Sequence, residues 1–133
     1  MSYYRLFYHF IWGVKERHPL ILSEFETDLY RVIAAKVVEF GGIVHAIGGV
    51  EDHVHLAATV PPKHSLSKVI GEVKGSSSHF VNHVVKPDFE FYWQSEYGVL
   101  SFRERNLVTI VRYIHNQKQH HAEGSIQKEL EQV

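Results

Sequence analysis

The sequence predicts an α+β fold, a mainly antiparallel sheet of ferredoxin-like (RRM-like) type with helices packed on one face. Three observations carry this reading. Two apolar runs, 43–50 and 53–60, are separated only by Glu51-Asp52, which is the mark of an antiparallel hairpin. Stretches with helical apolar spacing precede and follow that hairpin. Aromatic and β-branched runs near the start and in the last third supply further strands, giving the order β-α-β-β-α-β-β-α.

The chain has 133 residues, 44% apolar and 22% charged, which suits one folded domain over 1–133 with a real core. No apolar run is long enough to span a bilayer, and the start (Met1-Ser2-Tyr3-Tyr4-Arg5) lacks a signal-peptide pattern, so the expectation is a cytoplasmic protein. Cysteine is absent, which excludes disulfides and thiolate metal sites. Net charge is −1, yet Lys63, Lys68, Lys74 and Lys86 lie in one segment against a single acid, Glu72. A local basic face binds phosphates whatever the total charge, because screening confines charges to a reach of about 8 Å.

Each element has its own signal. Tyr3 to Val14 is aromatic and β-branched and reads as a first, central strand. Ser23 with Glu26 forms a capping-box pattern, and Phe25, Leu29, Ile33, Val37 and Phe40 recur at helical spacing before Gly41-Gly42 ends the helix. The hairpin follows and stops at Pro61-Pro62. Ser65 is the next N-cap, and Leu66, Val69, Ile70, Val73, Phe80 and Val84 carry a helix to about Val85, weakened at Gly75-Ser76-Ser77-Ser78. Those small residues beside Lys74 leave room for a phosphate. Stretches 89–94 and 99–102 read as a second hairpin, with Trp93 and Tyr97 as candidate base-stacking residues. A helix from about Arg103 to His121 buries Leu107, Ile110, Val111 and Ile114, and the tail from Gly124 reads as a short or frayed helix.

The chemistry concentrates at His53-Val54-His55. Strand side chains alternate, so both imidazoles project on one face while Val54 and Leu56 point to the other. Two parallel imidazoles are half of a metal site. Mg²⁺ or Mn²⁺ requires oxygen donors as well, and Gln117 offers a carbonyl oxygen one helical turn after Tyr113. A helix lying across the sheet would bring both toward the histidines, with Tyr113 placed to attack a phosphorus held there.

These residues resemble a known family. Asp52-His53-Val54-His55, the segment Tyr92-Trp93-Gln94-Ser95-Glu96-Tyr97-Gly98-Val99-Leu100-Ser101 and the run Tyr113-Ile114-His115-Asn116-Gln117 are similar to the single-tyrosine transposases of the insertion-sequence 200/605 kind, which are HUH nucleases. The resemblance spans nearly the whole chain. It implies an HUH-nuclease type of sheet, His53, His55 and Gln117 as ligands of Mg²⁺ or Mn²⁺, and Tyr113 as a nucleophile that cleaves and rejoins single-stranded DNA through a 5′-phosphotyrosine. It also implies a homodimer with sites that can be shared between subunits, and DNA hairpins at element ends as partners, for which Lys63, Lys68 and Lys74 are the candidate contacts. Members usually carry a longer segment after the tyrosine helix than this sequence, which ends at Val133, so a shortened or host-recruited transposase that still nicks DNA is expected.

Three other readings compete. A non-catalytic single-stranded nucleic-acid binder would use Tyr4, Tyr8 and Trp12 as stacking platforms, without metal. A histidine phosphotransferase would need a third alternating histidine, where Ala57 stands, and a His-x-Thr phosphodiesterase lacks its motif. Zinc hydrolysis is disfavoured because neither a cysteine nor a third well-spaced histidine is evident. His9, His45, His115, His120 and His121 carry no assigned role.

Overall fold

The computed structural model describes residues 2–133; Met1 lies outside them. Strands β1 (Tyr8–Gly13), β2 (Ile43–Val50), β3 (His53–Thr59) and β4 (Gly98–Ser101) form one sheet in the order β2-β3-β1-β4. Every neighbouring pair is antiparallel. Helix α1 (Glu26–Glu39) links β1 to β2, and α2 (Leu66–Phe80) links β3 to β4. The expected α+β, ferredoxin-like sheet is present.

Its helices occupy both faces, however, and not one. Phe10, Trp12, Val54, Leu56 and Ala58 pack with Leu29, Ile33 and Val37 of α1 and Val69, Ile70 and Val73 of α2. On the opposite face, helix α3 (Leu107–His115) packs Ile110, Tyr113 and Ile114 onto Ala46 and Ala57, with Leu130 of the tail beside them. All seven residues of β3 are buried. The histidine face is roofed by α3 and the tail.

Local expectations fared unevenly. Ser65 caps α2 by accepting the Lys68 N–H (3.2 Å), whereas α1 begins only at Glu26, after Phe25 and Glu26 have both donated to the Leu22 carbonyl in place of the Ser23 box. Helix α2 runs unbroken through Gly75–Ser78. Ser77 is fully buried there, bonds back to the Val73 carbonyl (2.7 Å) and accepts the Trp93 indole N–H (2.9 Å), so its small side chain accommodates Trp93. The first strand starts at Tyr8 rather than Tyr3.

The stretch 89–94 forms no hairpin strand. Only Trp93 bridges Val14, and Asn82 satisfies Phe91 by accepting its N–H (2.7 Å) and donating to its carbonyl (2.8 Å). A side chain thus does for Phe91 what a neighbouring strand would have done. The long C-terminal helix breaks at Asn116 into α3 and α4 (Gln117–Glu123), and the tail ends in a single 3₁₀ turn, Lys128–Leu130.

Helix α3 approaches β2 closely because Gly48 has no side chain. A Cβ at Gly48 would overlap the Ile114 carbonyl oxygen. Gly48→Ala is therefore expected to lower stability in urea unfolding by about 1–3 kcal/mol, the range for overpacking. Gly71→Ala, where a Cβ meets nothing in α2, is expected to raise it by up to about 1 kcal/mol.

A candidate metal and nucleophile centre

The site is built outward from β3. His53 pairs across to Val50 and Gly13, and His55 to Gly48 and Ile11, so the two imidazoles stand on the α3 face between β2 and β1. Both are buried, as are Tyr113 and Gln117. The His53 and His55 ring centroids lie 5.0 Å apart, and the Tyr113 ring lies 5.9 Å from that of His55. The four residues read from the sequence are thus brought into one chamber of a single chain.

Each imidazole is held from behind. Asp52 Oδ1 lies 2.7 Å from His53 Nδ1, and accepts its N–H when His53 Nε2 is to hold an ion. His55 Nδ1 lies 2.8 Å from His9 Nε2, and donates to it when His55 Nε2 is to hold an ion. Arg17 adds its guanidinium at 3.2 Å from His53 Nδ1 and 3.7 Å from Asp52, at the end of a turn in which Glu16 and Arg17 both have φ of 56°. Two adjacent non-glycine residues in the left-handed region are costly, and such strain gathers where a side chain must be aimed.

Sequence reasoning missed Glu131. The 3₁₀ turn brings its Oε1 to 3.1 Å from His53 Nε2, 3.2 Å from His55 Nε2 and 3.5 Å from His121 Nε2, while Oε2 accepts the Tyr113 hydroxyl proton. His121 lies at the i, i+4 step after Gln117 and was given no role; it is the third histidine whose apparent absence argued against zinc hydrolysis. One ligand atom from each of His53, His55, His121 and Glu131 fits within 4.8 Å of all the others. Gln117 joins through its Oε1, 3.0 Å from His121 Nε2, while its amide nitrogen donates to the Tyr113 carbonyl (3.3 Å). The break at Asn116 lets Gln117 and His121 turn inward together. The i, i+4 spacing from Tyr113 through Gln117 to His121 is legible in the sequence, whereas Glu131 arrives through a tail without periodicity.

The electrostatics follow from these contacts. Burial depresses His9, to about 3, and depresses His55 as well. For His53 burial also acts downward, but Glu131 and Asp52 outweigh it and the net shift is upward. Burial would raise Glu131, yet its bonds to His53 and His55 hold it well below the carboxylate range. Burial, with donation to Glu131, pushes the Tyr113 hydroxyl up to about 12.

Three imidazoles, a carboxylate and an amide oxygen are a donor set that suits a divalent cation. The His53 Nε2–Glu131 contact has the length of an ion pair but misses hydrogen-bond direction, so Nε2 is a buried nitrogen without a hydrogen-bond partner. With the His53 proton on Nδ1, its Nε2 and the facing carboxylate oxygen are a pair of acceptors, and a cation between them satisfies both.

The remaining sequence candidates lie elsewhere. Lys68 and Lys74 belong to α2, on the far face of the sheet, and Lys74 donates to the Glu96 carbonyl (3.1 Å). Lys63 sits in the loop beyond the end of β3 opposite to His53. Trp12 is fully buried under α1 and α2, and Trp93 is buried too, so neither offers a stacking platform.

The sequence model for "Transposase IS200 like" matches residues 2–117, the span holding every element that builds this chamber except α4 and the tail. The chain belongs to the IS200-like transposase family. Among its relatives is the ISDra2 transposase TnpA of Deinococcus radiodurans, 28% identical over 120 residues, an alignment covering 86% of this chain and 85% of that one. A crystal structure of a candidate transposase from Deinococcus radiodurans superimposes with a TM-score of 0.67 at 27% identity, covering 88% of this chain and 95% of that chain. A REP-associated tyrosine transposase bound to a REP hairpin shares the fold, with a TM-score of 0.65 at 19% identity over 95% of this chain and 76% of that one.

For this transposase the buried histidines set a pH dependence. His9 titrates near 6.5 when unfolded and near 3 in the fold, so between those values the unfolded chain binds more protons and stability falls as pH falls. The slope from this group is up to about 1.4 kcal/mol per pH unit. His9→Gln keeps an acceptor for His55 and is expected to flatten the loss of urea-unfolding stability between pH 7 and 5.

Proposed function

We propose that this IS200-like transposase cleaves and rejoins single-stranded DNA with Tyr113 as the nucleophile, at a site where His53, His55 and Gln117 hold Mg²⁺ or Mn²⁺. One observation carries the reading. A single acidic group, the Glu131 carboxylate, touches both the Tyr113 hydroxyl and the inward nitrogens of His53 and His55. An anion can therefore sit against nucleophile and ligands at once, which is what a scissile phosphodiester has to do.

The chain's own residues then have distinct tasks. The ion would polarise a phosphate oxygen and stabilise charge developing there. Asp52 and His9 hold the histidine rings with their Nε2 atoms inward. Helix α3, seated on β2 at Gly48, presents the tyrosine. Attack by the Tyr113 oxygen forms the O–P bond and breaks the bond from phosphorus to the 3′ oxygen; the hydroxyl proton is released and the departing oxygen gains one, leaving a 5′-phosphotyrosine and a free 3′-hydroxyl. Rejoining reverses these steps without external energy. Burial of the site excludes water, which would otherwise hydrolyse the link.

DNA hairpins at element ends are the proposed partners, in keeping with the hairpin bound by the REP-associated relative, and exposed Lys63 and Lys68 are the candidate backbone contacts. A homodimer would present two such chambers, and Tyr113 already faces the histidines of its own chain. The non-catalytic binder has no comparable support, since Trp12 lies under the helices.

Incubation with Mn²⁺ and labelled single-stranded hairpin DNA from the flanks of its own gene is expected to yield a protein–DNA adduct that survives denaturation. Tyr113→Phe and a chelator are each expected to abolish it, and His53→Ala to lower it about 100-fold or more. Binding without an adduct under all these conditions would overturn the proposal.

A further inference from the structure

We infer that Glu131, delivered by the C-terminal tail, is itself a ligand of the metal in the DNA-free protein, holding the coordination position that a scissile phosphate takes. The inference rests on the metal-dependent reading of His53 and His55 given above. It adds a carboxylate from a segment that lies beyond the family match, which ends at Gln117.

Spacing is the first argument. Ligand atoms on adjacent positions of an octahedral ion, each about 2.1 Å from it, stand about 3.0 Å apart. Glu131 Oε1 lies 3.1 Å from His53 Nε2 and 3.2 Å from His55 Nε2, and Gln117 Oε1 lies 3.0 Å from His121 Nε2. These are the separations of neighbouring ligands around one ion. The His53 contact has this length without a hydrogen bond to account for it.

Charge is the second. Imidazoles and an amide are neutral donors, so Glu131 supplies the only anion of the set. A phosphodiester also carries one negative charge. The carboxylate bridges in the way a phosphodiester must, with Oε1 toward the histidines and Oε2 on the Tyr113 hydroxyl.

The tail is also seated, not loosely laid. Leu130 is buried in the core beneath α3, and the Gln127 N–H donates to the Tyr113 oxygen (3.0 Å). At Gly98 a Cβ would overlap the Gln132 carbonyl oxygen, so β4 carries a glycine where the tail crosses it. Packing on both sides of Glu131 aims its carboxylate inward.

The test is Mn²⁺ affinity of the full chain without DNA, read by electron paramagnetic resonance of the free ion, with far-ultraviolet circular dichroism confirming folding. Glu131→Gln removes the charge and nearly preserves shape, and Gly98→Ala dislodges the tail, and Glu131 with it, while keeping His53, His55, His121 and Gln117. Both are expected to weaken Mn²⁺ binding about tenfold, and His53→Ala to weaken it further. Wild-type affinity in both tail variants, with loss in His53→Ala, would overturn the inference and leave the metal-dependent reading standing. Unchanged affinity in all three would overturn that reading as well.

Discussion

The two-residue periodicity of β3 is the constraint on which the rest of the molecule depends. One strand, buried on both sides, gives Val54, Leu56 and Ala58 to the core beneath α1 and α2 and gives His53 and His55 to the opposite chamber. A slip of one residue in its pairing would exchange the two sets, placing imidazoles in hydrocarbon and valine at the site. Register is enforced from both neighbours. The short turn through Glu51-Asp52 pairs Val50 with His53, and β1 sets Gly13 opposite His53 and Ile11 opposite His55. Folding the sheet correctly and building the site are therefore one event.

From this strand the chemistry extends by close packing. Gly48 lets α3 lie against β2, which brings Tyr113 to His55. The break at Asn116 redirects the chain so that Gln117 and His121 face the same chamber, and Lys118 ties the start of α4 to the Gly49 carbonyl (3.1 Å). Outer partners do as much as the inward groups, because Asp52 and His9 hold the Nδ1 atoms of His53 and His55 and turn the other nitrogen of each ring inward. The chamber is preorganised by groups that would never touch substrate.

Much of this was legible in the sequence, and the reasons are specific. The hairpin, α1, α2 and the pairing of His53 with His55 follow from short-range periodicity, which the fold preserves. The Tyr113–Gln117 relation also survives, since one helical turn separates them even across the break at Asn116. What escaped depended on long-range partners. The stretch 89–94 has strand composition but pairs only around the Val14–Trp93 bridge, and Asn82 takes the place of a strand partner at Phe91. His9 meets the site only through tertiary packing, and Glu131 arrives through a tail whose local sequence promises nothing. The helix expected across the histidine pair is α3, and its presence there means that the helices cover both faces of the sheet and not one.

The central claim, that Tyr113 is the nucleophile beside a histidine-bound metal, is tested most directly by locating the DNA on the protein. Trypsin cuts after Arg112 and Lys118, releasing the 113–118 peptide. After reaction with Mn²⁺ and hairpin DNA and digestion of the excess DNA, mass spectrometry is expected to find a phosphonucleotide on this peptide, attached at Tyr113. Cleaved DNA with no protein attachment, or attachment at any other residue, would contradict the account.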